Sequence, residues 1–173
     1  MGISLYDVTV PGFMQTITAM EGVLQRGLAY CKDAGIDTNE IVEARLYPDM
    51  LPFRFQVVSI VKNSVGAIES VKAGIFTRPP QTPPYDYAGL QGALAEASTR
   101  LKGYTPDEID ALQGRDMIFH PGEHKISFTI DNFLLSFSIP NFHFHATTAY
   151  DILRSRGVPL GKRDYLGRLR AKE

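Results

Sequence analysis

Two of the four histidines in this chain, His143 and His145, fall within one short stretch from Pro140 to Tyr150. A neutral imidazole near pH 7 can ligate a metal, accept a hydrogen bond or act as a general base. A helix through this stretch advances about 100° per residue, so two positions two apart point roughly 200° away from each other. His143 and His145 therefore cannot grip one ion from within a single helix. His145 shares a face with Phe142, Ala146, Ala149, Ile152 and Leu153, whereas His143 lies with Thr147, Tyr150 and Arg154. Asn141, one turn before His145, offers an amide oxygen on the same face. Asp49, Glu43 and Gln56 are positioned to approach from an earlier helix. The candidate ligand-binding residues are thus His145, Asn141, Asp49 and Gln56. A protein-bound zinc ion needs at least three imidazole, thiolate or carboxylate ligands, each oriented by a further partner. One histidine with an amide falls short of that set, so no metal ligand is assigned. The alternative for His145 is a histidine on an apolar stripe held by Asp49, Arg45 or Tyr6.

The remaining reactive side chains supply less. His120 and His124 flank Pro121-Gly122 and read as surface histidines, because two ligands without a third make no metal site. Cys31 falls on an apolar helical stripe and reads as an inert core thiol. A glycine-rich phosphate loop, a Ser/His/Asp arrangement and a close pair of zinc-ligand cysteines are all missing from the sequence.

Four segments with helical spacing must position these residues. In the first, Phe13, Ile17, Met20, Leu24, Leu28 and Cys31 form a stripe that Gly35 ends, with Pro11 in the first turn, where no amide hydrogen is needed. Ser4 to Val10 reads as a separate preceding turn. Asp37 and Glu40 predict a capping box for a short helix through Leu46. Pro48 and Pro52 then break the chain. Phe53, Val57, Ile60, Val61, Ser64, Ile68, Val71 and Ile75 predict a second long helix from Phe53 to Phe76. Arg78 to Pro84, with four prolines, reads as an extended connector. The third helix carries Tyr87, Leu90, Leu94, Ala97, Leu101 and Tyr104, and Thr105-Pro106 ends it. Between it and the fourth helix, Met117 to His120 and Lys125 to Ile130 alternate about Pro121-Gly122 as a small β-hairpin, for which no partner strand is expected. Such a ribbon must pack against the helices to persist. The fourth helix begins near Pro140 and stops at Gly157. Four such stripes bury most simply against one another, which predicts an all-α four-helix bundle in one domain spanning residues 1–173.

Charge and composition exclude several classes. Eighteen Lys and Arg against nineteen Asp and Glu leave a net charge of −1, without the field that nucleic acid or an anionic membrane would select. Only the segment from Arg154 onward is basic, and it reads as a solvated end; a nucleic-acid regulator docking through it is a minor alternative. The single cysteine, the want of a signal-peptide layout and of any apolar run near the roughly 18 residues of a membrane span predict a cytoplasmic protein. Met1-Gly2 lacks the Ser or Thr at position six that acylation prefers, since Tyr6 stands there.

Ser4-Leu5-Tyr6-Asp7 with Thr9-Val10-Pro11, Ala44-Arg45-Leu46 with Pro48-Asp49-Met50, Pro140-Asn141-Phe142 through His145 and Thr147 to Tyr150, and Gly161-Lys162-Arg163-Asp164-Tyr165-Leu166-Gly167 resemble an uncharacterised bacterial domain-of-unknown-function family. That family is grouped with the DinB/YfiT-like metalloenzyme clan. The resemblance covers essentially the whole chain. It implies an up-down-down-up four-helix bundle, often a homodimer, whose relatives bind a divalent metal through one histidine on the second helix and a His-x-x-x-His pair on the last. Laid onto this chain, the final ligand falls on His145, the earlier one on Asn141, and the second helix holds no histidine. Two readings follow. In the first, the chain is a small-ligand-binding or interaction module with a degenerate metal site. In the second, it is a metal-dependent enzyme of thiol transferase or hydrolase type using His145.

Overall fold

The computed structural model describes residues 2–77 and 84–172. Helix α1 (Leu5–Val8) is capped by Ser4, whose hydroxyl accepts from the Asp7 amide. Helix α2 (Val10–Ala34) has Pro11 in its first turn and ends at Gly35, whose φ of 66° is the left-handed conformation that glycine adopts without strain. Its buried stripe holds Phe13, Ile17, Met20, Leu24 and Cys31, as the spacing predicts. Leu28 is an exception, 39% exposed, because the interior position belongs to Gly27. There Tyr87 reaches across to donate its hydroxyl to the Leu24 carbonyl at 2.8 Å, and a side chain at 27 would collide with it.

Helix α3 (Thr38–Val42) is shorter than the expected run to Leu46, and Asp37 caps it by accepting from the Asn39 amide without a reciprocal Glu40 bond. The expected second long helix is interrupted: α4 (Phe53–Lys62) and α5 (Val65–Ala73) meet at Asn63-Ser64. The Ser64 N–H turns to the Val61 carbonyl and its hydroxyl takes the Ile60 carbonyl that the helical ladder would use, while the Asn63 side chain adds a second donor to the Ser59 carbonyl already held by the Asn63 N–H. Beyond Gly74 the chain leaves the helix, and Ile75–Thr77 form strand β1. The proline-rich connector expected at 78–84 lies, apart from Pro84, outside the described residues.

Helix α6 (Tyr87–Leu101) buries Tyr87, Leu90, Leu94, Ala97 and Leu101, and Thr105 caps a further short helix α7 (Pro106–Asp110). Strands β2 (Asp116–His120) and β3 (Ile126–Thr129) pair antiparallel with Met117 opposite Phe128. The hairpin does have a partner: β1 joins β2 in parallel with Phe76 beside Phe119, giving a three-stranded sheet in the order β1-β2-β3. The helical stripe hid this strand, because Ile75 continues the spacing of Ile68 and Val71. One face of the sheet carries Phe76 and Phe119 onto Phe133 and Phe137, with ring centroids 4.5–6.0 Å apart. That packing is what a ribbon of this size requires.

The last helical run also starts earlier than Pro140. Helix α8 (Ile130–Phe133), a π-helical turn over Leu134–Ser138 and helix α9 (Ile139–Ser155) follow without a gap. Pro140 has no amide hydrogen, so the α ladder must lose a bond before it. The π turn absorbs that loss, with the Ile139 amide reaching back five residues to Leu134 and the Asn141 side chain donating to the Phe137 carbonyl at 2.7 Å. The two irregular places touch, since the Ser138 hydroxyl donates to the Asn63 carbonyl at 2.7 Å. Helix α4 packs most extensively on α9 and α2 on α6, while α10 (Lys162–Leu166) docks on α2. The chain is thus mostly helical with a small sheet. Among the described residues, no helix is long and apolar enough to cross a membrane.

Candidate functional site

The seam between α4 and α9 holds His145. Gln56 projects into it from α4, one turn after Phe53 and one before Ile60, and is only 3% exposed. A buried amide must find partners for both its ends. Its Nε2 donates to the Leu51 carbonyl at 2.8 Å, which turns Oε1 toward His145 Nδ1, also at 2.8 Å. An amide oxygen only accepts, so Nδ1 carries the proton and Nε2 is left with its lone pair. Burial pushes the His145 pKa down to about 4, so the ring is neutral at pH 7. Phe55 and Phe144 stand edge-on to the imidazole at centroid distances of 5.8 and 5.3 Å. Among the described residues, no side chain or carbonyl bonds Nε2.

The structure brings together two of the four expected site residues, His145 and Gln56. Asn141 sits one turn earlier on α9 but turns its amide to the Phe137 carbonyl, repairing the ladder beside Pro140. Asp49 is exposed in the turn before α4, where the Met50 amide bonds the Tyr47 carbonyl. The partner expected for His145 among Asp49, Arg45 and Tyr6 is instead Gln56. Arg45 donates to the Met50 carbonyl, the Tyr6 amide to Asp110, and Glu43 pairs with Arg54 at 2.6 Å. The signal for Gln56 was available in its place on an apolar stripe, where a lone polar residue must be satisfied.

His143 points elsewhere, as the helical geometry requires. Its Nδ1 lies 3.3 Å from the Tyr165 hydroxyl, which also accepts from Thr147 at 3.2 Å. Desolvation holds its pKa below the ordinary value, although much of the residue faces solvent. Tyr165 arrives there because the segment from Gly161 to Gly167 is clasped onto α2. Asp164 accepts from the Gly161 amide and pairs with Arg26 at 3.3 Å. Gln15 donates to the Leu166 carbonyl at 2.9 Å, and Gly167, with φ of 61°, rests on Ala19. These contacts account for the terminal sequence signature as a docking device.

Residues 5–166 match the family described as a domain of unknown function, DUF1993. The chain belongs to this family. No curated protein matches it. Among solved structures, a DinB family member protein from Shewanella denitrificans is similar to this DUF1993 chain over 98% of its length and 95% of its own, with 25% identity and a TM-score of 0.78. The fold is therefore DinB-like.

The DinB-like resemblance implies a metal held by three histidines, and the residues present do not fit one. The seam supplies one imidazole lone pair, the Gln56 oxygen is engaged by Nδ1–H, and Asn141 faces backbone. Among the described residues, no group of three or more His, Cys, Asp or Glu side chains is arranged to hold a metal ion. His120 ends β2 and His124 lies exposed in the hairpin turn. Cys31 is buried, and burial raises its thiol pKa, which disfavours the nucleophilic thiolate.

Proposed function

We propose that this DUF1993 chain is one domain, an up-down-down-up four-helix bundle of long helices α2, α4–α5, α6 and α8–α9 with a hairpin before the last. In this reading it works as a small-ligand-binding module in which the ancestral metal site has degenerated. The observation that supports the reading is the state of His145. Its ring is neutral, its tautomer is set by Gln56 so that Nε2 keeps its lone pair, and two aromatic rings stand edge-on to the imidazole. Such a group accepts a hydrogen bond from an O–H or N–H while Phe55 and Phe144 cover the apolar body of the same molecule. Fixing the tautomer in advance removes a reorganisation cost from binding.

Elemental analysis of protein purified without chelator or metal-affinity resin, joined to an NMR titration with phenol and indole, tests the reading. The expected result is substoichiometric zinc, nickel and iron, with His145 ring resonances that shift on phenol or indole addition in the native chain and not in Gln56→Leu. Stoichiometric metal that disappears in His145→Ala would overturn it in favour of the metal-dependent enzyme.

A further inference from the structure

A concave surface lies away from the α4–α9 seam, between the first third of α2 and the residues that follow α10. This groove of about 420 Å³ is lined by Pro11, Met14, Gln15 and Thr18 on one side and by Arg168 and Arg170 on the other. Residues 11, 14, 15 and 18 recur at helical spacing, so they form a continuous strip along α2. Ala19 and Gly167 close the floor. The left-handed turn at Gly167 and the Gln15 bond to the Leu166 carbonyl fix where the chain carries the two arginines. Neither arginine has an ion pair among the described residues, and no acid lines the groove. The nearby Asp164 is occupied by Arg26 and the Gly161 amide.

We propose that this groove binds a monomeric organic anion with an apolar body, a free alkyl carboxylate of fatty-acid type. The carboxylate sits on Arg168 and Arg170, whose planar guanidinium groups match its geometry in two-point hydrogen bonds. The alkyl chain lies along Pro11, Met14 and the Ala19 methyl group. The volume falls within the range of ordinary ligand pockets. Two cations over an apolar floor suit neither a nucleic-acid backbone, which needs an extended basic track, nor bare phosphate, which has no use for the methionine.

The test is titration of the full chain with sodium decanoate below its micelle concentration, followed by amide NMR and calorimetry, with 1-decanol, inorganic phosphate and phosphatidylglycerol vesicles as comparators. Decanoate is expected to bind at one site and to shift the amides of Met14, Thr18, Ala19 and Gly167. The exposed double variant R168Q/R170Q should bind it about tenfold more weakly or worse, the loss expected for a charge-assisted bond. Thr18→Trp, which fills the groove, should abolish binding, and His145→Ala should leave it unchanged, so this site and the His145 site fail separately. Decanol binding as tightly as decanoate, phosphate binding as tightly as decanoate, native affinity in R168Q/R170Q, or response to vesicles with silence to free decanoate would each overturn the proposal.

Discussion

The two histidines two residues apart on α9 occupy opposite kinds of environment. His145 lies in the helix seam, its Nδ1 fixed by a buried glutamine and its pKa about 4. His143 sits at the surface, its Nδ1 beside a tyrosine delivered by the C-terminal clasp. The same residue type therefore becomes a preset hydrogen-bond acceptor at one position and a peripheral contact at the other. Burial and partner decide the chemistry, and proximity in sequence does not.

The largest contrast should come from the phenylalanines that precede each histidine. Phe142 is fully buried against Phe13 at 4.8 Å, and Phe142→Ala is expected to cost about 3–5 kcal/mol in chemical denaturation. Phe144, 59% exposed beside His145, should cost less than about 0.5 kcal/mol on the same change. Equal losses at both positions would erase the distinction between seam and surface.

Acid should then separate the histidines. The His145 pKa of about 4 in the folded chain lies below the ordinary 6.5, so the unfolded chain binds the proton first. The associated stability is fully present above pH 6.5, is lost as pH falls toward about 4, and levels off below that. Its size is on the order of 2–3 kcal/mol, less whatever solvent contact relieves. His145→Gln should flatten this slope and leave the shallower one of the same sign from His143. An unchanged slope in His145→Gln would show that His145 is not the group being titrated.

Breaking the bond without the ring sharpens the point. Gln56→Leu strands both Nδ1–H and the Leu51 carbonyl, with an expected loss of about 1–3 kcal/mol by thermal or urea unfolding. On the clasp side, Gly167→Ala places a side chain at φ of 61° against Ala19 and should cost about 1 kcal/mol. Tyr165→Phe, which removes only the contacts to His143 and Thr147, should stay within about 0.5 kcal/mol. A Tyr165→Phe loss larger than that of Gln56→Leu would reverse the ranking of the two regions.

Much of the scaffold was legible from spacing, because a helix that buries one face writes its period into the sequence. Apart from Leu28 and Tyr104, the apolar residues of the stripes of α2, α6 and α9 lie in the core as expected, and Gly35 ends its helix with the expected left-handed turn. The failures share one cause. Ile75 kept helical spacing yet stands in a strand, since parallel pairing with residues about forty positions away leaves no local mark. The break at Asn63-Ser64 also lies inside an apolar stripe, where periodicity continues although the hydrogen-bond ladder does not, and the π turn precedes Pro140, where the last helix was expected to begin.

At the site, the sequence by itself determined that His143 and His145 face apart and that the positions expected to complete a three-histidine set hold other residues. Both follow from local quantities, the helical repeat and residue identity. Only the tertiary structure decided that Gln56, 89 residues away, fixes the tautomer of His145, and that Asn141 serves its own helix. Hydrogen-bond partners across a seam depend on the register of two packed helices, and that register is set by the whole core.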